Sequence, residues 1–249
     1  MIVLITGATS GFGEVTARKF VENGAQVIGT GRRRERLEKL SKELGSAFHP
    51  LVFDVGDRKQ VESALGNLPP DVAAVDVLVN NAGGAIGLDP AQSAHLDDWD
   101  AMIDSNVKGL VYCTRLLLPG MIERGRGHIV NIGSVAGNWP YPGGNVYGAA
   151  KAFVQQFSLN LRADLVGTPV RVTDIQPGLA GGTEFSQVRF KGDEKRAAAV
   201  YEGTEPLTSE DIAETIYWVV NRPAHVNVNR IELMAVCQAF GPLVVKRKG

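Results

Sequence analysis

Cysteine is nearly missing: Cys113 and Cys237 are the only two in 249 residues. One lies in a helical pattern and one near the end, so there is no disulfide framework, and both read as small apolar residues in a reducing compartment. Histidine is as sparse. His49, His95, His128 and His225 stand far apart, with no ligand spacing to one another, to a cysteine or to an acid, so no metal site is expected. No apolar run is long enough to cross a bilayer, and the first residues, MIVLITGATSGFG, begin a strand at once without a basic leader. A cytoplasmic protein is expected, with no membrane partner. Neither charge sign is in excess, with 26 Lys and Arg against 27 Asp and Glu, and that balance excludes the footprint of a nucleic-acid binder. Linkers and internal repeats are absent too. With 44% hydrophobic residues, residues 1–249 suit one large domain with a sizeable core.

What the chain does contain is alternation. Short apolar, β-branched runs at 2–6, 25–31, 48–53, 75–79, 128–132, 170–175 and 230–236 are separated by helical patterns. That order predicts an α/β fold, a single parallel, doubly wound sheet flanked by helices.

The first strand runs into Gly7-Ala8-Thr9-Ser10-Gly11-Phe12-Gly13 and then a helix. A glycine turn of this kind lets the backbone approach a pyrophosphate at a helix N-terminus, although such a turn can also be purely structural. The second strand ends without an acid and enters Arg32-Arg33-Arg34-Glu35-Arg36. An acid there would take a ribose 2'-hydroxyl, whereas arginines accommodate a 2'-phosphate, so NADP is favoured over NAD. Asp54-Val55 closes the third strand, where a carboxylate could accept from an adenine amine or simply cap a turn. The fourth closes on Asn80-Asn81-Ala82-Gly83, and Asn81 could touch the cofactor, satisfy strand-end backbone groups, or both.

Gly133 to Lys151, GSVAGNWPYPGGNVYGAAK, holds the chemistry. Tyr147 and Lys151 are four residues apart in a run, 146–162, that reads as a helix, so both leave one face. Ser134 follows the fifth strand and stands where the sheet opens into a crevice. A free tyrosine ionises near pH ~10, and half ionisation at pH 7 costs about 4 kcal/mol, much of which a close ammonium could supply. Tyr147 would then exchange a proton with a hydroxyl or carbonyl oxygen that Ser134 holds. An isolated tyrosine–lysine pair on an amphipathic helix can equally be a solvated surface feature. Residues 97–123 read as one long helix whose polar Asn106, among apolar neighbours, could bend it and hold a water behind Lys151.

Residues 179–208 have few apolar anchors and include Arg189 and Lys191, which suits a lid over a substrate. The tail, 237–249, carries Phe240, Leu243, Val244 and Val245, and packing on another subunit would shelter them.

With TGATSGFG, NNAG, Asn106, Ser134 and YGAAK in this order, the chain resembles the short-chain dehydrogenase/reductase family over essentially its full length. The resemblance implies a Rossmann-type sheet and reversible hydride transfer between a nicotinamide and a carbonyl or alcohol carbon. It makes Tyr147 the acid/base and Lys151 the partner of the nicotinamide ribose. Ser134 orients substrate and Asn106 completes a proton relay. It implies cofactor contacts from Gly7, Thr9, Ser10, Gly11, Phe12, Arg32, Arg33, Asp54, Val55, Asn81, Tyr147, Lys151 and the loop Pro177-Gly178-Leu179. It also implies a homotetramer. GLAGGTEFSQVRFKGD, GNWPYPGGNVYGAAKAF and PAHVN are similar to the NADP-dependent 3-hydroxy acid dehydrogenases, which implies L-serine, L-allo-threonine, and 3-hydroxypropionate or malonic semialdehyde as substrates. Arg189 and Lys191 are then candidates to recognise a hydroxy acid's carboxylate. Thr183 lies one residue later than in the common family pattern, which leaves its own cofactor contact open. The alternatives are a broader carbonyl or 3-oxoacyl reductase and a catalytically silent NADP-sensing module.

Overall fold

Strands that are apolar at successive positions belong in a sheet covered on both faces. The computed structural model, which describes residues 1–241, has that sheet. The elements run β1 (Ile2–Ile5), α1 (Gly11–Glu22), β2 (Gln26–Gly31), α2 (Arg34–Leu44), β3 (Phe48–Val52), α3 (Arg58–Gly66), β4 (Val77–Asn80), α4 (Leu96–Ile103), α5 (Gly109–Glu123), β5 (Gly127–Ile132), α6 (Asn145–Asp164), β6 (Val170–Pro177), α7 (Phe185–Arg189), α8 (Glu194–Ala199), α9 (Ser209–Val220) and β7 (Arg230–Leu233). Among the described residues the sheet has seven strands in the order β3-β2-β1-β4-β5-β6-β7, and every pairing is parallel. Chain order reverses between β1 and β4, so their carboxyl ends flank a crevice.

Period-two alternation divides the core. Val3, Ile5, Val77, Val79, Val130 and Ile132 pack on one face with Phe20 of α1 and Ile212 and Ile216 of α9. Leu4, Leu78 and Ile129 face the other way, onto Val61 of α3, Cys113 and Met121 of α5, and Leu161 of α6. Thr208 and Asp211 close a reciprocal capping box that starts α9.

The structure departs from the sequence reading in three places. Residues 97–123 are not one uniform helix: a π turn, Asp104–Lys108, separates α4 from α5. The last strand ends at Leu233, and Val236, read as part of it, is fully exposed. Residues 179–208, read without elements, contain α7 and α8 and close at their base, where Gly181 N donates to Leu207 O and Leu207 N to Leu179 O. Of the tail, Phe240 is described and stacks on Trp139 at 4.6 Å, while Leu243, Val244 and Val245 lie outside the described residues.

His128, in β5, is buried beside Thr173 of β6. The Thr173 hydroxyl donates to Val228 O, so it accepts from His128 Nε2–H and leaves Nδ1 as an acceptor with no partner among the described residues. Burial, with Arg171 nearby, pushes the imidazole down to about 3. The folded histidine therefore refuses a proton that the unfolded chain binds below pH ~6.5, and stability present above that pH is lost as pH falls toward 3. We expect the melting temperature to fall between pH 6.5 and 4, and His128→Gln, whose amide can still donate to Thr173, to flatten that slope. An unchanged slope in calorimetric melts would assign the acid sensitivity to other groups.

Candidate active site

The glycine turn is shaped by close approach. Gly7 and Gly11 have φ of 71° and 54°, in the left-handed region that disfavours a side chain. A Cβ at Gly13 would collide with Gly7 O and Asn81 Nδ2. Asn81 donates to Thr6 O and Gly7 O, so it ties the end of β4 to the turn after β1. Ser10 is the N-cap of α1 but makes no cap bond with its side chain, and its hydroxyl instead accepts from Arg33 at 2.8 Å.

Arg33 also donates to Thr9 Oγ1, at 2.7 Å from Nη2, and its Nη1 lies 2.7 Å from Glu184 Oε2. Arg36 reaches the other oxygen of Glu184 at 2.7 Å. Burial tends to raise the Glu184 carboxyl, but its bonds from Arg33 and Arg36 outweigh that and hold it below the usual carboxylate range. The two arginines thus already form an anion clamp, occupied by an acid from the 179–208 segment. Arg32, the other arginine singled out, is mostly exposed and sits 3.5 Å from Asp54. Asp54 Oδ1 accepts from Gly56 N in a turn, and Val55 is buried against Gly109, the first residue of α5. Phe12 packs at the edge of the core under the glycine turn.

Ser134 is brought to α6 by two glycines. The segment after β5 lies so close that a Cβ at Gly137 would sit 2.8 Å from Ala152 N and Lys151 C, and one at Gly148 would sit 3.0 Å from Ala136 O. Ser134 Oγ accepts from Ala136 N at 3.1 Å and lies 3.4 Å from Pro177 O, against the loop that continues through Gly178 and Leu179. Leu179 N donates to Gln238 Oε1.

Tyr147 and Lys151 are both buried, and Lys151 Nζ donates to Ile132 O at 2.8 Å and lies 5.7 Å from the centre of the Tyr147 ring. Burial pushes the Tyr147 phenol up to about 12, against the opposing influence of the Ser134 hydroxyl and the charge of Arg189. The expected drop toward neutrality is therefore not produced by these side chains alone. The reason is desolvation, which also brings the Lys151 ammonium down to about 8, with Asp174 opposing. Asn106 sits at the π turn. Its Nδ2 donates to Met102 O and Gly84 O, each at 2.9 Å, and its buried Oδ1 has no partner among the described residues. That oxygen lies against Gly83, where a Cβ would collide with it.

The 179–208 segment closes over this group. Phe185 meets Tyr147 edge-on at 5.7 Å, and Arg189 is stacked on Phe185 and Tyr141, with Nη2 donating to Tyr141 Oη. Arg189 Nε is buried without an acceptor among the described residues. Gly87 N donates to Arg189 O, which docks the segment on the loop after β4. Lys191 points elsewhere and pairs with Asp98 at 2.7 Å.

A family model described as short chain dehydrogenase matches residues 1–194. The chain belongs to that family. It is 62% identical over 247 residues to a Salmonella typhi protein named NADP-dependent 3-hydroxy acid dehydrogenase YdfG, covering 99% of this chain and 100% of that one. It is 52% identical over 246 residues to a Rhizobium radiobacter serine 3-dehydrogenase, covering 99% and 98%. A solved structure described as the closed form of serine dehydrogenase complexed with NADP+ has a TM-score of 0.98, with 58% identity over 100% of both chains. Within this short-chain dehydrogenase, sequence reasoning missed Arg36, Glu184, Tyr141 and Phe185. The only signal was the length of the basic run around Arg36, because the other three act through contacts across the fold.

The contact at Gly137 yields a direct test. Because Gly137→Ala presses a methyl on backbone atoms of α6, it should displace Ser134 from Tyr147. We expect turnover at least tenfold lower with NADP affinity, measured by quenching of intrinsic fluorescence, changed less than threefold.

Proposed function

We propose that the protein is an NADP-dependent dehydrogenase of small 3-hydroxy acids, acting at C3 of L-serine, L-allo-threonine or 3-hydroxypropionate and reducing malonic semialdehyde in reverse. The relatives' names agree with that reading. The observation that carries it is Arg189, a guanidinium with an unsatisfied buried Nε, set beside the ring that packs on Tyr147. A substrate with a hydroxyl for Tyr147 and a carboxylate for Arg189 matches both ends of that space. Lys191, paired with Asp98, is the weaker candidate.

The residues fit NADP. Gly7 and Gly11, with left-handed φ, present backbone without side chains at the start of α1, which suits a pyrophosphate, and the Arg33–Arg36 pair, with Thr9 and Ser10, already holds a carboxylate where a phosphate would suit. In this reading Arg32 and Arg33 take the 2'-phosphate, Asp54-Val55 and Asn81 line the adenosine side, and Pro177-Gly178-Leu179 borders the carboxamide. Bound NADP+ supplies a hydride acceptor and a positive ring. Ser134 Oγ holds the substrate oxygen and Tyr147 Oη takes its proton. Lys151 steadies the phenolate by charge and holds the ribose, and Asn106 Oδ1 accepts a hydrogen bond from the water that carries the proton onward. Closure of 179–208 excludes solvent and strengthens each of these interactions.

Partly exposed Leu116 and Ile122 of α5, with Phe153 and Leu159 of α6, make an apolar face suited to a second copy, and a homotetramer in the cytoplasm completes the reading.

Two substitutions test the roles. Arg189→Ala should lower kcat/KM for L-serine about 10- to 100-fold, the equivalent of a charge-assisted contact, and change that for an uncharged alcohol far less. Equal losses would remove Arg189 from carboxylate recognition. Tyr147→Phe should abolish hydroxy-acid turnover and leave NADP binding by fluorescence within a few-fold of the parent.

A further inference from the structure

Asp174 is a buried carboxylate with no part in the mechanism above. It lies within β6, 1% exposed, and makes no ion pair among the described residues. Burying a carboxylate is costly unless its charge is used or compensated. Its Oδ2 accepts from Gln176 Nε2 at 2.5 Å, and its Oδ1 is buried without a partner among the described residues.

Register shows what it faces. Asp174 pairs with Asn131 of β5, and Asn131 Nδ2 donates to Ser158 of α6. Gln176, two residues along β6, donates to Gln155 of α6. Lys151, Gln155 and Ser158 follow one another at i, i+4 and i+7, on one face of that helix. Asp174 thus lies on the strand face that α6 covers with these residues. Lys151 Nζ is bonded to Ile132 O, and a Cβ on the next residue, Gly133, would collide with Asp174 Oδ1. Ammonium and carboxylate converge on one peptide unit.

We infer that Asp174 is the counter-charge of the Lys151 ammonium, a positioning residue that reaches substrate and cofactor only through that lysine. Among the described residues, the charged groups that bear on the pair are few. Arg230 of β7 is in register with Asp174, Glu232 joins through Asn138 and Gln176, Tyr147 adjoins Lys151, and β5 contributes only neutral Asn131. Burial holds Asp174 up at about 6, against Gln176 first and then Lys151, so above that pH it is an anion and sustains the lysine's charge. Without it, the ammonium would lose its proton at lower pH.

The inference rests on the role proposed for Lys151, and the parent enzyme assayed alongside separates the two: absence of hydroxy-acid turnover in the parent overturns that reading, not this pairing. The test is Asp174→Asn in the full-length enzyme, with kcat/KM for L-serine and NADP affinity by fluorescence each followed from pH 6 to 10. We expect the alkaline limb of both profiles to move toward acid by about one pH unit, and turnover at pH 8 to fall about tenfold. Limbs that stay in place while the melting temperature changes would make Asp174 a packing residue and overturn the inference. Should Asp174→Asn fold poorly, Lys151→Met and Lys151→Met/Asp174→Asn are compared by melting at pH 8. A counter-charge requires the double variant to melt above Lys151→Met, because asparagine removes the stranded anion, and a double variant melting below it overturns the pairing.

Discussion

A buried ammonium must be satisfied inside the protein, and the arrangement around Lys151 follows from that requirement. Its hydrogen bond to Ile132 O demands that α6 lie close to the end of β5. Such proximity is possible only because Gly137 and Gly148 remove side chains at the contact. The same approach sets Ser134 and Tyr147 side by side. Desolvation, which raises the phenol, is also what makes each nearby charge act strongly.

Much of this was legible locally. The glycine turn, the serine after a strand and the tyrosine–lysine spacing each involve residues that are neighbours in sequence or that one helix aligns. The parallel sheet was legible because mostly apolar, β-branched runs alternating with helical patterns suit strands covered on both faces, even where β5 and β6 carry Asn131, Asp174 and Gln176. Features that depend on contacts across the fold were not. Glu184 reaches Arg33 across 151 positions of sequence, and nothing near either residue announces the pair. Lys191 looked equivalent to Arg189 in the sequence, yet only the fold shows that Asp98 takes one and aromatic rings take the other.

Asn106 shows an intermediate case. A polar residue amid apolar ones signals something unusual, and a bend was a natural inference. The π turn supplies the physical form: one residue added to the helical ladder turns Asn106 so that its amide nitrogen bonds backbone carbonyls and its oxygen has no partner among the described residues. The upward push of burial on Tyr147 was not legible, for a different reason. Spacing reveals which charges are near a group, whereas burial depends on every element that covers it.

The polar layer between α6 and the sheet has a further consequence. Two helix and sheet surfaces lined only with Leu, Val and Phe can slide past one another by a turn at small cost, since one apolar side chain replaces another. Here a slip of one turn would strand Asn131, Gln176 and the Lys151 ammonium without their present partners, all away from water. The layer gives up some cohesion relative to an oily interface, and in return it permits one alignment of the helix that carries the tyrosine and no other.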